Sequence, residues 1–138
     1  MIQKVLCAVD DSEHSRIAVG FAGRLAKASG AELTLLAVNT MMGSPAIGTA
    51  IYVWEDADVE RILNDAAALA RTTGISDPRK VSVKSRDAGR AIALYAEDNG
   101  IDHIVVGTGG KGSLSRMRLG SVSRDVVARA HCSVTVAR

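Results

Sequence analysis

Residues 103–123 read HIVVGTGGKGSLSRMRLGSVS, and this stretch decides the fold. A short apolar run ends at Gly107, which predicts a buried strand. A glycine-rich segment without acidic residues follows, and helical periodicity resumes near Ser121. A strand, a glycine-rich connection and a helix in this order are typical of α/β proteins, whose ligands bind beyond the carboxyl ends of the strands. We therefore expect a ligand site that begins at Gly107.

Outward from this stretch, the same alternation of strand and helix signals fills the chain. Short apolar or alternating runs predict strands, in chain order, at residues 2–9, 32–38, 80–86, 103–107 and 133–137. Between them, apolar residues recur at helical spacing. Residues 1–138 are therefore predicted to form one α/β domain. Its open five-stranded parallel sheet is covered by helices on both faces, with 80–86 as a half-exposed edge strand.

Residues 40–57 lack a clear period, and we interpret them as a long connection of the kind that often serves as a lid. Met41, Met42 and Trp54 lie in this segment. The sequence leaves open whether they cover a ligand, meet a partner subunit or fill the core.

Composition excludes several classes of protein. The net charge is +2 and aromatic residues make up 3% of the chain, which argues against a nucleic-acid partner. No apolar run approaches the ~20 residues of a membrane span, and the N-terminus lacks a signal-peptide pattern. Cys7 and Cys132 both lie in apolar surroundings, which predicts reduced thiols and a cytoplasmic protein. His14, His103 and His131 show no metal-ligand spacing, so no protein-built metal site is expected.

The glycine-rich stretch suits a phosphate group. Glycine permits a positive φ and close backbone approach, and N–H groups that face an anion form a phosphate nest. Ser121 begins a predicted helix, whose free N–H groups and dipole favour an anion. Residues 107–112 fit the dinucleotide pattern G-x-G-x-x-G, but no helix follows directly. A Walker A motif fails because Lys111 is followed by Gly112 and not by Ser or Thr.

A third spacing fits, because Gly107, Gly110 and Gly120-Ser121 match G-x2-G-x9-G-S/T. At this point the chain resembles the ATP-binding branch of the universal stress protein family. VLCAVDDSEHSRIAVGFAGRLAKASGAELTLLAV resembles the family's opening strand, helix and second strand. DHIVVGTGG resembles its fourth strand and first glycines, and LGSVSRDVVARAHCSVTV its closing helix and strand. The resemblance covers essentially the whole chain.

The resemblance implies a Rossmann-like sheet of the adenine nucleotide alpha hydrolase-like type that holds ATP at its strand ends. Ala8 and Asp10 would lie beside adenine and ribose, and Val38 would offer its backbone to the adenine edge. The ribose and triphosphate would be wrapped by the segment Gly107, Thr108, Gly109, Gly110, Lys111, Gly112 and Ser113. Phosphate oxygens would be bound after Gly120 by N–H and hydroxyl groups of Ser121, Val122 and Ser123. Mg²⁺ or Mn²⁺ would bridge the phosphates.

The resemblance also implies a homodimer, which we expect to pair through the C-terminal strand 133–137. Two positions depart from the family pattern. Asp11 stands where glycine or an aromatic residue is more usual, and it adds negative charge near the pocket. Ser133 stands where proline often follows cysteine. Arg116 and Arg118 neutralise phosphates or belong to a solvated basic loop, and the sequence leaves both readings open.

Three functions follow as hypotheses. The first is an ATP-binding regulatory protein of a stress response. The second is a slow ATPase, for which no base near the terminal phosphate is evident by motif, so hydrolysis is expected to be weak at most. The third is a dimeric interaction module that binds no nucleotide, or another adenine nucleotide such as AMP or cAMP. The intact glycine motif favours the first.

Overall fold

The computed structural model describes residues 1–109 and 119–138. The strands are β1 (Lys4–Val9), β2 (Glu32–Met42), β3 (Ile51–Tyr52), β4 (Arg79–Ser85), β5 (His103–Gly107) and β6 (Ser133–Ala137). The α-helices are α1 (Glu13–Ser29), α2 (Asp56–Thr72), α3 (Ala88–Asp98) and α4 (Ser121–Arg129), and a 3₁₀ turn spans Pro45–Ile47. Each predicted strand is present, with shifts of a few residues at its ends.

Five strands form a parallel sheet in the order β4-β2-β1-β5-β6. The register pairs Cys7 of β1 with Leu35 of β2 on one side and with Val105 of β5 on the other. This confirms the predicted α/β architecture, in which each crossover carries a helix. The first strand lies in the middle of the sheet, so the ends of β1, β2 and β5 meet at one edge.

The predicted count of five strands is wrong by one. β2 continues past residue 38 to Met42, and its last two residues pair antiparallel with the two-residue strand β3. The segment 40–57, interpreted as a long connection, therefore holds the end of β2, the 3₁₀ turn, β3 and the start of α2. The bend between β2 and the 3₁₀ turn includes Gly43 at φ 77°, a conformation that favours glycine.

Helices cover both faces of the sheet, as predicted. One core lies between the sheet and helices α1 and α2, and it includes the buried side chains Cys7, Val19, Leu35, Ile62 and Val105. A second core lies on the opposite face under α3 and α4, and it includes Leu6, Leu36, Ile92, Ile104 and Val126. Alternate residues of one strand thus serve opposite cores, which explains why the central strands read as continuous apolar runs.

Local signals set the ends of α1. Ser12 is the N-cap residue, and its hydroxyl accepts a hydrogen bond from the Ser15 amide at 3.2 Å. Gly30 follows the last turn at φ 70°, a left-handed conformation that suits glycine and ends the helix. The capping role thus falls to Ser12 and not to the preceding aspartates. Asp10 and Asp11 are left exposed at the end of β1.

Candidate functional site

A cleft of about 320 Å³ opens at the carboxyl ends of β1, β2 and β5. Its walls are the ends of these strands, the first turns of α1, α3 and α4, and Trp54 from the connection before α2. This is the edge at which open parallel sheets bind ligands, and the volume lies within the ~300–1,000 Å³ of small-molecule sites.

Eight residues of the predicted site line this cleft together: Ala8, Asp10, Val38, Gly107, Gly109, Gly120, Ser121 and Val122. They come from four separate parts of the chain. Asp11, noted for its added charge, lines the cleft as well. Gly110, Lys111, Gly112 and Ser113, with Arg116 and Arg118, lie outside the described residues.

The remaining two residues, Thr108 and Ser123, are buried beside the cleft and are only 4% and 3% exposed. Thr108 Oγ1 lies 3.0 Å from Nδ1 of His14. The Ser123 hydroxyl donates to the carbonyl oxygen of Gly107. Both hydroxyls thus join the glycine turn 107–109 to a neighbouring helix, Thr108 to α1 and Ser123 to α4.

The ends of the glycine-rich stretch meet in space. The Gly120 amide donates to the Thr108 carbonyl oxygen at 2.6 Å, and Gly109 has φ 68°. A Cβ added at Gly107 would lie 2.6 Å from the His14 carbonyl oxygen, and one added at Gly120 would lie 2.9 Å from that of Thr108. Glycine is therefore required at both positions for backbone packing, whatever the cleft binds.

The N-terminus of α4 faces the same cleft. Gly120 is its N-cap, and Ser121 and Val122 form its exposed first turn. The first N–H groups of a helix have no partner within the helix, and they carry the positive end of the helix dipole. This wall of the cleft can therefore accept an anion such as a phosphate group.

At the end of β1, Asp10 is fixed by its own loop. Its carboxylate accepts hydrogen bonds from the Ser12 amide at 2.8 Å and from the Ser12 hydroxyl. Its amide donates to Ser15 Oγ at 3.0 Å. These bonds hold one carboxylate oxygen, Oδ1, against the loop. The Asp10 carboxylate is thus an oriented acceptor at the rim of the cleft.

The opposite wall is apolar. Sequence reasoning placed Val38 there and left open whether Trp54 covers a ligand, but it missed Leu36, Thr40, Ala88, Ile92 and Val106. Residues 36, 38 and 40 share one face of β2, so the period-2 pattern was the signal for that strand. Trp54 is half-buried at this wall and also packs against the α1–α2 core, so it contributes both to the cleft and to the core.

A buried amide fixes the backbone of Trp54. Asn39 is 2% exposed, and its Nδ2 donates to the Trp54 carbonyl oxygen at 2.8 Å. The Trp54 amide donates in return to Asn39 Oδ1 at 3.0 Å. This reciprocal pair ties the connection 43–55 to the end of β2, beside the apolar wall.

A family model described as the universal stress protein family matches residues 1–138. The chain belongs to this family. It is 30% identical over 150 residues to universal stress protein YxiE of Bacillus subtilis, and both chains are covered in full. It is 32% identical over 142 residues to a universal stress protein of Thermus aquaticus, again with full coverage of both.

Solved structures of the family share the fold of this universal stress protein. A crystal structure of a universal stress protein in complex with cAMP matches with a TM-score of 0.77 and 27% identity, covering 99% of this chain and 97% of that one. The universal stress protein UspA of Lactobacillus plantarum matches with a TM-score of 0.72 and 26% identity, covering 99% and 98%.

The titratable side chains that line the cleft of this universal stress protein, within 1–109 and 119–138, are Asp10, Asp11 and His14. The same residues contain no group of three or more His, Cys, Asp or Glu side chains suited to a metal ion. Burial raises the pKa of the Cys7 thiol strongly, with a further contribution from the Asp10 charge, so this buried cysteine is an inert thiol at neutral pH.

The second cysteine lies away from the cleft. Cys132 precedes β6 and is partly buried, and desolvation raises the pKa of its thiol. Neither Cys7 nor Cys132 is in a disulfide. Among the described residues, no helix is long and apolar enough to cross a bilayer.

Proposed function

We propose that this universal stress protein binds ATP in the cleft and acts as a nucleotide-dependent regulator of a stress response, with at most slow hydrolysis. The observation that carries the proposal is the juxtaposition of an apolar wall with the N-terminus of α4 across one cleft. An adenine ring suits the apolar wall, and a phosphate chain suits the free N–H groups at the helix start.

The proposed orientation uses the strand ends. Adenine would lie against Leu36, Val38 and Ile92, with Trp54 at its edge. Ribose would reach Asp10, whose oriented carboxylate accepts hydrogen bonds from hydroxyl groups. The phosphates would then run over the glycine turn 107–109 toward Ser121. The cAMP bound by the similar universal stress protein supports an adenine nucleotide as the ligand class.

Mg²⁺ or Mn²⁺ is proposed to enter with the phosphates. Such ions commonly bind nucleotide phosphates and keep several waters, so few protein ligands are needed. The donor set fits this arrangement, because the described cleft offers only Asp10 and Asp11 as carboxylates. The ion would neutralise phosphate charge beside them.

A homodimer and a cytoplasmic location complete the proposal. β6 lies at the end of the parallel sheet and pairs with β5 on one side. Its outer edge offers backbone groups for pairing with the same strand of a second copy. Two free cysteines are compatible with a reducing compartment.

A second candidate ligand is a monophosphate or cyclic adenine nucleotide. The complex of the similar protein with cAMP favours it, because that ligand has a single phosphate group. The free N–H groups at the start of α4, which would contact phosphate in this proposal, can be satisfied by one phosphate group.

The testing experiment is a nucleotide analysis of the purified protein, followed by calorimetric titration with Mg-ATP, AMP and cAMP. ATP recovered at about one per chain, or tightest binding of Mg-ATP, supports the ATP proposal. Tighter binding of AMP or cAMP keeps the cleft and replaces the ligand. No heat with any of the three would refute adenine-nucleotide binding. Phosphate release measured on the same samples tests the limit on hydrolysis.

A further inference from the structure

His14 lies in the first turn of α1 and lines the cleft beside Asp10 and Ser12. It is far from His103 and His131 in sequence, so spacing suggests no shared metal site. In the fold, however, it lines the cleft together with Asp10, to which the ribose is assigned, and Gly107, in the turn to which the phosphates are assigned. Its imidazole is therefore placed where it can contact a bound ligand.

One nitrogen of the His14 ring is held by the glycine turn. Nδ1 lies 3.0 Å from Oγ1 of Thr108, which is itself 4% exposed. The backbone of His14 packs directly on Gly107. These contacts fix the ring against the turn 107–109. Within the described ranges no group is hydrogen-bonded to the other nitrogen, Nε2.

Several charged side chains lie near His14, but few of them line the cleft. The loop after β1 places Asp10 and Asp11 in the cleft, while the neighbouring Glu13 is exposed and is not among the lining residues. In α4, the Arg124 side chain donates through Nη2 to the carbonyl oxygen of Leu119 at 3.2 Å. Arg124 does not line the cleft.

Within residues 1–109 and 119–138, His14 is therefore the lining side chain that can carry positive charge. A phosphate placed in this cleft meets two carboxylates, Asp10 and Asp11. A nearby cation offsets the repulsion between such like charges.

We propose that His14 contacts a phosphate oxygen of the bound nucleotide through Nε2, and that protonation of His14 strengthens nucleotide binding. This inference rests on the adenine-nucleotide site proposed above and adds a pH dependence to it. An imidazole ordinarily titrates near pH ~6.5, and an imidazolium donates at both nitrogens. His14 can then bond Thr108 through Nδ1 and the phosphate through Nε2. Because the anion and the charged ring favour each other, affinity rises as the pH falls.

The experiment titrates the intact protein with cAMP at about pH 8 and about pH 5.5, on either side of the ordinary histidine pKa. cAMP is chosen because its one phosphodiester charge does not change over this range. The variant is His14→Asn, whose amide reaches the position of Nδ1 and can keep the Thr108 contact, but which has no group at Nε2. We expect the wild-type Kd to fall about threefold to tenfold at the lower pH and the variant Kd to stay level.

Two controls isolate the contact. His131→Asn changes an exposed histidine between α4 and β6 and is expected to keep the wild-type pH profile. Adenosine, which has no phosphate, is expected to bind without this pH dependence. Thermal unfolding at both pH values checks that each variant is folded.

The outcomes separate the two proposals. The same pH profile in wild type and His14→Asn overturns the role of His14 while leaving the adenine-nucleotide site intact. A pH dependence that adenosine shares overturns the phosphate contact. Absence of binding by cAMP, AMP and Mg-ATP at either pH overturns this inference together with the proposed function.

Discussion

The amide of Gly120 donates to the carbonyl oxygen of Thr108 at 2.6 Å, so two residues twelve positions apart in sequence are joined directly. The bond places the N-terminus of α4 directly against the end of β5. The helix that offers free N–H groups is therefore anchored by the same backbone turn that forms the floor of the cleft. The position of the α4 N-terminus beside the cleft therefore depends on close backbone contact at this point.

Gly120→Ala is expected to destabilise the fold and to weaken nucleotide binding. The added Cβ would lie 2.9 Å from the Thr108 carbonyl oxygen and 3.0 Å from the Gly109 backbone, which cannot move away as a flexible side chain would. We expect a loss of about 1–3 kcal/mol in the free energy of unfolding, measured by urea denaturation. An unchanged midpoint would contradict the packing role of Gly120.

The matched control for this variant is Gly20→Ala. Gly20 lies inside α1, and its added Cβ would meet only the end of the Arg24 side chain at 3.4 Å. Alanine in a helix interior is more stable than glycine by about 0.5–1 kcal/mol, so this variant should shift the midpoint upward. The opposite signs separate a steric requirement from a general effect of replacing glycine.

Because Gly120 is structural, an exposed residue tests the anion site better. Ser121→Glu places a carboxylate in the first turn of α4, where a negative charge favours the helix but repels a phosphate. We expect thermal stability to be kept and the affinity for AMP or Mg-ATP to fall about tenfold or more. Ser121→Gln, of equal size without the charge, should bind far more tightly than Ser121→Glu. Equal affinities of the two variants would show that the phosphate does not bind at the N-terminus of α4.

Much of the fold follows from the sequence because its signals are local. The alternation of apolar runs and helical periods predicted five strands with helices between them in the right order, and Ser121 marked the start of α4. Two glycines of the predicted spacing motif, Gly107 and Gly120, likewise line one cleft, while its third glycine, Gly110, lies outside the described residues.

The features that the sequence did not reveal are contacts between distant parts of the chain. Thr108 and His14 are 94 residues apart, so nothing in either neighbourhood indicates their hydrogen bond. β3 has two residues and exists because the end of β2 supplies partners for it. The family resemblance implied that Ser123 would bind phosphate, but its hydroxyl donates to the carbonyl oxygen of Gly107 at the end of β5. A sequence motif indicates which residues lie near a site, but it does not indicate where each side chain points.

Trp54 should report ligand binding without any label, since it is the only tryptophan of the chain and lines the apolar wall. We expect adenine nucleotides to change its fluorescence in a saturable way, with the same Kd as calorimetry gives. A spectrum that stays constant at saturating nucleotide would place the adenine away from Trp54.

Asn39→Ala should release Trp54 from its position. The change leaves the amide and carbonyl of Trp54 without the partners that they have at 3.0 and 2.8 Å, at a buried site. We expect a loss of about 1–3 kcal/mol in unfolding free energy and weaker nucleotide binding, read from denaturation and from titration. Asn64→Ala is the control, because Asn64 is exposed and its side chain accepts a single hydrogen bond within the described residues, from Lys80 Nζ, so its effect on both measurements should be small.

His103 predicts a pH dependence of stability at the edge opposite the cleft. Its Nε2 lies 2.7 Å from Thr135 Oγ1 between β5 and β6, and desolvation lowers the pKa of its imidazole while the Asp102 charge partly opposes the shift. A base whose pKa is lower in the folded state binds more protons when unfolded, so its contribution to stability is lost as the pH falls below about 6.5. Nucleotide-free protein should therefore have a lower Tm at pH 5.5 than at pH 7.5, two values chosen on either side of the ordinary histidine pKa, which is about 6.5.

His103→Gln, which can still hydrogen-bond Thr135 but does not titrate, should reduce that difference. The exposed His131→Asn should leave it unchanged, and an undiminished difference in His103→Gln would assign the effect to other groups.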